Sequence, residues 1–240
     1  LLRKNQKMKK LTKRQKEISK IVDKKKKSAL KEAITILKNA PHPKFDESVT
    51  VSFKVNIDQK EASQSVRSTV TLPHGTGKKV RVAVFCKGEA VNDAKAAGAD
   101  YVGANELIDK IAAGWTDFDV AVSTPDMMKD LSKLGKVLEP RGLMPNPKAG
   151  TVTQDVAKAI KEVKAGKIEF RMDKQSNIHA PIGKISFAEN AIFDNATSLI
   201  ESVIKNKPAT VKGHFIKSIS IASSMGPGLR LDLSQFSHIV

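Results

Sequence analysis

The chain has 240 residues and a formal charge of +17, from 42 Lys/Arg against 25 Asp/Glu. Forty per cent hydrophobic content is enough to bury a core in one or two domains, and the charge calls for a polyanionic partner or surface. A single cysteine excludes an internal disulfide, and no apolar run approaches the roughly 18–20 residues of a membrane span, so no membrane role is expected.

The charge is unevenly spread. Residues 1–44 carry 16 Lys/Arg against 3 Asp/Glu, whereas residues 75–166 carry 14 against 12. The excess lies in a basic arm over residues 1–27, which reads either as an electrostatic footprint or as a solvated tail. The N-terminus lacks the apolar core of a secretory signal. Beginning at Leu1, it fits a processed organellar protein as well as a cytoplasmic one.

Ser28 is expected to cap a helix in which Leu30, Ala33, Ile34 and Leu37 share one face, ended by Pro41 and Pro43. Val49, Val51, Phe53, Val55 and Ile57 then alternate with Thr50, Ser52, Lys54 and Asn56, the pattern of a half-buried strand. A second strand is expected over residues 66–72. One helix and two strands do not enclose a core. After Leu72-Pro73-His74-Gly75-Thr76-Gly77 the character of the sequence changes. Residues 80–86 are almost continuously apolar, as in a strand covered on both faces. An Ala-rich helix over 89–97, a strand at Tyr101-Val102 and a helix capped by Asn105 follow. Next come a strand over 119–123 and a Pro-started helix over 126–134. Strand alternating with helix predicts a small parallel sheet of Rossmann-like type. Residues 142–150 are expected to be a stiff loop, and a helix with Val156, Ile160 and Val163 on one face ends at Gly166.

Beyond Gly166 the strand style returns. Residues 168–172 and 178–182 are expected to form a hairpin about the turn 173–177, before a long helix over 189–205. Residues 217–232 read as strand, tight turn, strand. Ile219 and Ile221 point one way and Ser218, Ser220 and Ser224 the other, while Gly226-Pro227-Gly228 reverses the chain. The predicted fold class is therefore mixed α/β and α+β. A split α+β domain from residues 1–75 and 167–240 is interrupted by an inserted Rossmann-like α/β domain over 76–166. Gly75, Gly77 and Gly166 are the expected hinge.

Catalytic chemistry finds little support. His74-Gly75-Thr76-Gly77-Lys78-Lys79 lacks phosphate-loop spacing and precedes a strand, so it reads as a joint. Cys86 reads as a small buried hydrophobe ahead of a nucleophile, and the five histidines form no metal-ligand cluster. No catalytic residue, cofactor or metal is expected, although an enzyme using the inserted domain stands as an alternative. The hairpin's polar side reads on periodicity as an ordinary solvated sheet face. It reads alternatively as a flat surface for an RNA minor groove, where sugar edges suit short hydroxyls. Phe45 is either a core phenylalanine or an aromatic set at the mouth of a strand to pack on a ribose or base. If the strand through Lys54 neighbours the hairpin, Phe45, Ser48 and Lys54 join Ser218, Ser224 and Met225 on one surface.

The segments KFDESV, VRSTVTLPHGTGK, GADYVG, PRGLMPNPKAGTV, GKIEFRMDK, IHAPIGK and SSMGPGLRLD, in this order from Phe45 to Asp232, closely resemble the large-subunit ribosomal protein L-one family. The resemblance implies a split RNA-binding domain with a hinged insertion. It implies RNA contacts at Phe45, Ser48, Lys54, Ser218, Ser224, Met225, Gly226 and Pro227. The implied partners are the mobile-stalk region of large-subunit ribosomal RNA, exit-site tRNA and, for a translational repressor, the protein's own mRNA. The protein is expected on the ribosome, and as a monomer off it. Glu139 departs from the family pattern, which usually has glycine before Pro-Arg-Gly.

Overall fold

The computed structural model describes residues 12–23, 26–57, 66–88, 90–208, 211 and 213–236. The rest of the expected basic arm, residues 1–11 and 24–25, lies outside them. Helix α1 (Lys13–Ile21) opens on a capping box, in which Thr12 and Gln15 each accept from the other's backbone N–H. A two-residue strand, β1 (Lys27–Ser28), leads into α2 (Leu30–Asn39), which buries Leu30, Ala33, Ile34 and Leu37. Ser28 does not cap this helix. It is buried in β1 opposite Leu231, and Gln235 Oε1 accepts the Leu30 N–H at 3.3 Å instead. Tertiary pairing has taken the serine, and the far end of the chain supplies the cap.

Strand β2 (Ser48–Val55) alternates between partly exposed and buried along its whole length, and β3 (Arg67–Thr71) follows. All four residues of β4 (Val82–Phe85) are buried. Then come α3 (Ala90–Ala96), β5 (Tyr101–Gly103), α4 (Asn105–Ala112) and β6 (Val120–Ser123). β4 pairs in parallel with both β5 and β6, giving the order β5-β4-β6. Asn105 is the first residue of α4 rather than its cap; Ala104 stands at the cap, without a side-chain hydrogen bond. The helix expected over 126–134 is broken into 3₁₀ turns around α5 (Met128–Leu131), followed by α6 (Gly135–Leu138). The tighter turns bring Met127, Leu131, Leu134 and Leu138 into one core. Helix α7 (Val156–Lys164) is capped by Asp155, whose carboxylate accepts the Lys158 N–H at 3.1 Å.

β7 (Lys167–Arg171), β8 (Asn177–Lys184), α8 (Glu189–Lys205), β9 (Ile216–Ser223) and β10 (Gly228–Leu231) complete the chain. The expected hairpin of β7 with β8 is not the main pairing. β7 pairs antiparallel with β3 over five positions, β8 pairs with β2, and only a Met172–Ile178 bridge links β7 to β8. Each strand gains a longer ladder than that single bridge would give it. The principal sheet has the order β1-β10-β9-β2-β8 and is drawn from both ends of the chain. α2 and α8 cover one face, with Leu37, Phe53, Ile178, Leu199, Ile200 and Ile221 in a single core to which no residue of 76–166 belongs. The parallel sheet is packed by two further clusters lying wholly within residues 80–163.

Charged pairs cluster where the parallel sheet begins. Asp119 accepts from Lys78 Nζ at 2.6 Å, from the Arg81 N–H at 3.2 Å and from Arg81 Nε at 3.3 Å. The Lys78 bond, helped by Arg81 and opposed by burial, lowers its carboxyl to about 2. A depressed carboxylate stabilises the fold above its unfolded value and loses that contribution as pH falls through the folded one. The urea midpoint should therefore drop as pH falls from about 4 toward 2. Asp119→Asn should be less stable at neutral pH and show a shallower decline over that range.

Candidate nucleic-acid interface

The face of the principal sheet opposite α2 and α8 carries small and polar side chains in cross-strand rows. Pro181, Thr50, Ala222 and Gly228 make one row; His179, Ser52, Ser220 and Arg230 the next; Asn177, Lys54 and Ser218 the third. His179 Nδ1 lies 2.9 Å from Ser52 Oγ. A bulge opposite Lys54–Val55 explains why Lys217 and Ser218 are both exposed before strict alternation resumes at Ile219.

The β9–β10 turn forms one end of this face. Ser224 N–H donates to the Ser48 carbonyl at 3.1 Å, and Ser48 N–H donates to Ser224 Oγ at 3.2 Å. Ser224 Oγ in turn lies 3.3 Å from the Ser48 carbonyl as its donor. That hydroxyl is thus committed as a donor to the protein and keeps a lone pair for an incoming donor. Lys184 Nζ donates to Ser48 Oγ at 2.9 Å, which sets a positive charge beside the turn. Met225 is 53% exposed and Phe45 55%, so Phe45 is not a core residue. Arg14 of α1 donates to the Met225 carbonyl at 3.2 Å, bringing the basic arm to the same edge.

The eight predicted site residues fall into two groups. Ser48 is bonded to Ser224 at the turn that continues through Met225, Gly226 and Pro227, and Phe45 is exposed three residues before Ser48. Lys54 and Ser218 are cross-strand partners six residues further along β2, about 20 Å away at ~3.4 Å per residue. Lys54 Nζ donates to the Gln175 carbonyl, which anchors it at that far end. Of the predicted hinge glycines, Gly75 and Gly166 lie against each other: a Cβ on Gly166 would come 2.5 Å from Gly75 Cα. Gly77 packs beside Phe187.

Two buried polar residues escaped the sequence reading. Glu47, completely buried, accepts from the Met225 N–H at 2.8 Å and from Ser223 Oγ at 2.9 Å. Asn195, equally buried in α8, accepts the His74 N–H at 3.0 Å and donates to the carbonyls of Gly75 at 2.9 Å and Ile182 at 2.7 Å. The available signal was positional. Glu47 has the parity of Val49, Val51 and Phe53, and Asn195 falls on the stripe of Ile192 and Leu199.

Cys86 is buried and its thiol is pushed up by that burial. Among the described residues no group of three His, Cys, Asp or Glu is placed to hold a metal ion, and no helix is long and apolar enough to cross a membrane.

The family model described as "Ribosomal protein L1p/L10e family" matches residues 30–227. The "Large ribosomal subunit protein uL1" of Fervidobacterium nodosum is 56% identical over 228 residues, covering 95% of this chain and 97% of that protein. The protein of the same name from Kosmotoga olearia is 53% identical over 225 residues (94% and 97% coverage). That from Protochlamydia amoebophila is 52% identical over 224 residues (93% and 95%). The relatives are ribosomal proteins, which sets aside the enzyme alternative. The chain belongs to the ribosomal protein L1p/L10e family.

Proposed function

We propose that the protein is a structural constituent of the large ribosomal subunit, binding the mobile-stalk region of its RNA and assisting release of deacylated tRNA from the exit site. Free of the ribosome it is a monomer that represses its own mRNA by binding a similar RNA fold. Family membership supports the ribosomal role. The observation that carries the RNA-binding role is the polar sheet face left free by α2 and α8, with Met225 exposed beside short hydroxyls at one end and Phe45 exposed three residues before Ser48.

Recognition is by shape. Ribose hydroxyls donate to Ser224 and Ser218, Met225 and Phe45 exclude water around those bonds, and Lys184 and Lys44 add salt-dependent attraction to phosphates. The principal sheet and its helices act as the RNA-binding domain, residues 1–75 and 167–240, and residues 76–166 act as a lever. The lever turns about Gly75, Gly77 and Gly166 as the stalk moves. The separate apolar cores support this division.

Ser224→Val is expected to weaken binding to purified large-subunit ribosomal RNA by about 1–3 kcal/mol, since an RNA donor loses its acceptor. Denaturant melts of the same variant separate this effect from the loss of the Ser48 bonds. Unchanged affinity in a filter assay contradicts the proposed face. Replacing residues 77–164 by a short linker should retain most of the affinity, because the core beneath the face is complete without them.

A further inference from the structure

We infer that Glu47 is the positioning residue of the β9–β10 turn, holding Ser223-Ser224-Met225 in the conformation that RNA meets. This rests on the reading that the turn faces RNA. Both carboxylate oxygens are engaged. Oε1 accepts the Met225 N–H, while Oε2 accepts from Ser223 Oγ and lies 3.0 Å from His42 Nδ1. His42 Nε2 lies 2.9 Å from the Lys38 carbonyl in the last turn of α2. The Glu47 carbonyl accepts the Ile185 N–H at 2.8 Å, fixing the backbone as well. The segment after α2, the end of β9 and the turn therefore converge on one side chain.

A buried carboxylate is an unfavourable way to hold a turn if stability alone is at stake, because apolar groups of similar volume often serve as well. Its distinctive property is strong, directional acceptance of backbone N–H groups. Burial alone would raise the Glu47 carboxyl. Hydrogen bonds from His42, Ser223 and the Met225 amide outweigh it and hold the group below the ordinary carboxylate range. The ionised form thus persists at neutral pH.

Two consequences reach the face. The turn is ordered before RNA arrives, so less conformational freedom is lost on binding. The Glu47 charge lies under Met225 while Arg14 and Lys184 stand beside the turn, so phosphates are drawn to those cations and the turn itself meets sugar edges. Gly226 completes the arrangement, because a Cβ at that position would overlap Ser223 Oγ and force it off Glu47.

The test uses the full chain and purified large-subunit ribosomal RNA. Glu47→Gln is expected to weaken binding about tenfold or more. It should also speed hydrogen exchange at the Met225 amide while cooperative unfolding is retained. Ser223→Ala, which removes one bond without burying a new group, should shift both readouts in the same direction by less. In a Ser224→Val/Met225→Ala background, Glu47→Gln should add little further loss. An equal loss with and without those two side chains would mean that Glu47 acts through the fold as a whole, overturning the positioning role. If Glu47→Gln and Ser223→Ala bind as wild type while the Ser224→Val/Met225→Ala protein does not, the inference fails and the RNA reading survives. If none of these variants loses affinity, the RNA reading itself falls.

Discussion

Asn195→Leu should lower the free energy of unfolding by about 3–5 kcal/mol, at about 1–3 kcal/mol for each buried backbone group left unpaired. Three groups lose their partner: the His74 N–H and the carbonyls of Gly75 and Ile182. Two of these sites are only partly buried, so water recovers some of the loss. Leucine keeps asparagine's branching at Cγ but is bulkier, so overpacking adds to the loss of hydrogen bonds. The denaturant midpoint should fall with little change in slope. Asn195→Asp offers an independent check. A carboxylate oxygen would face two carbonyl oxygens, so the group must stay protonated in the fold and its folded pKa is raised. Its stability should then be greatest in acid and decline as pH rises, opposite to the trend expected of Asp119. A pH-independent Asn195→Asp protein would contradict this bonding scheme.

The large features were legible in the sequence because they rest on periodicity. Ser48–Val55 alternates without a break, and Glu189–Lys205 keeps a helical stripe for 17 residues, so burial alone decides what they become. Pairing partners were less accessible. Residues 168–172 stand beside 178–182 in sequence, yet β7 joins β3 across the inserted segment, a contact set by three-dimensional competition among strands. Caps failed for a similar reason: Gln235 caps α2 from more than two hundred residues away. At the candidate face, exposed Phe45 and Met225 followed from the turn chemistry and the family resemblance together. Glu47 and Asn195 did not, because a carboxylate or amide on an apolar stripe looks like an interruption until its partners are placed around it.

Gly166→Ala tests the proposed hinge most directly. Gly166 has φ +105°, a backbone conformation that L side chains rarely adopt, and its missing Cβ would come 2.5 Å from Gly75 Cα. Backbone strain of this kind costs about 1–3 kcal/mol, and overpacking against a backbone atom adds about 1–3 kcal/mol. A combined loss of about 3–5 kcal/mol in a denaturant melt is expected. Gly75→Ala provides the contrast. Its Cβ would meet nothing closer than the Ala165 carbonyl at 3.7 Å, so only the positive φ of +64° counts against it, at about 1–2 kcal/mol. The overlap at Gly166 can be relieved only by parting the two crossing segments, which would stretch the 3.2 Å bond from the Leu72 N–H to the Gly166 carbonyl. Hydrogen exchange at Leu72 should therefore accelerate in Gly166→Ala and stay slow in Gly75→Ala. Equal losses in the two variants would mean that the crossings are not pressed together, and a hinge made of two glycines in contact would lose its physical basis.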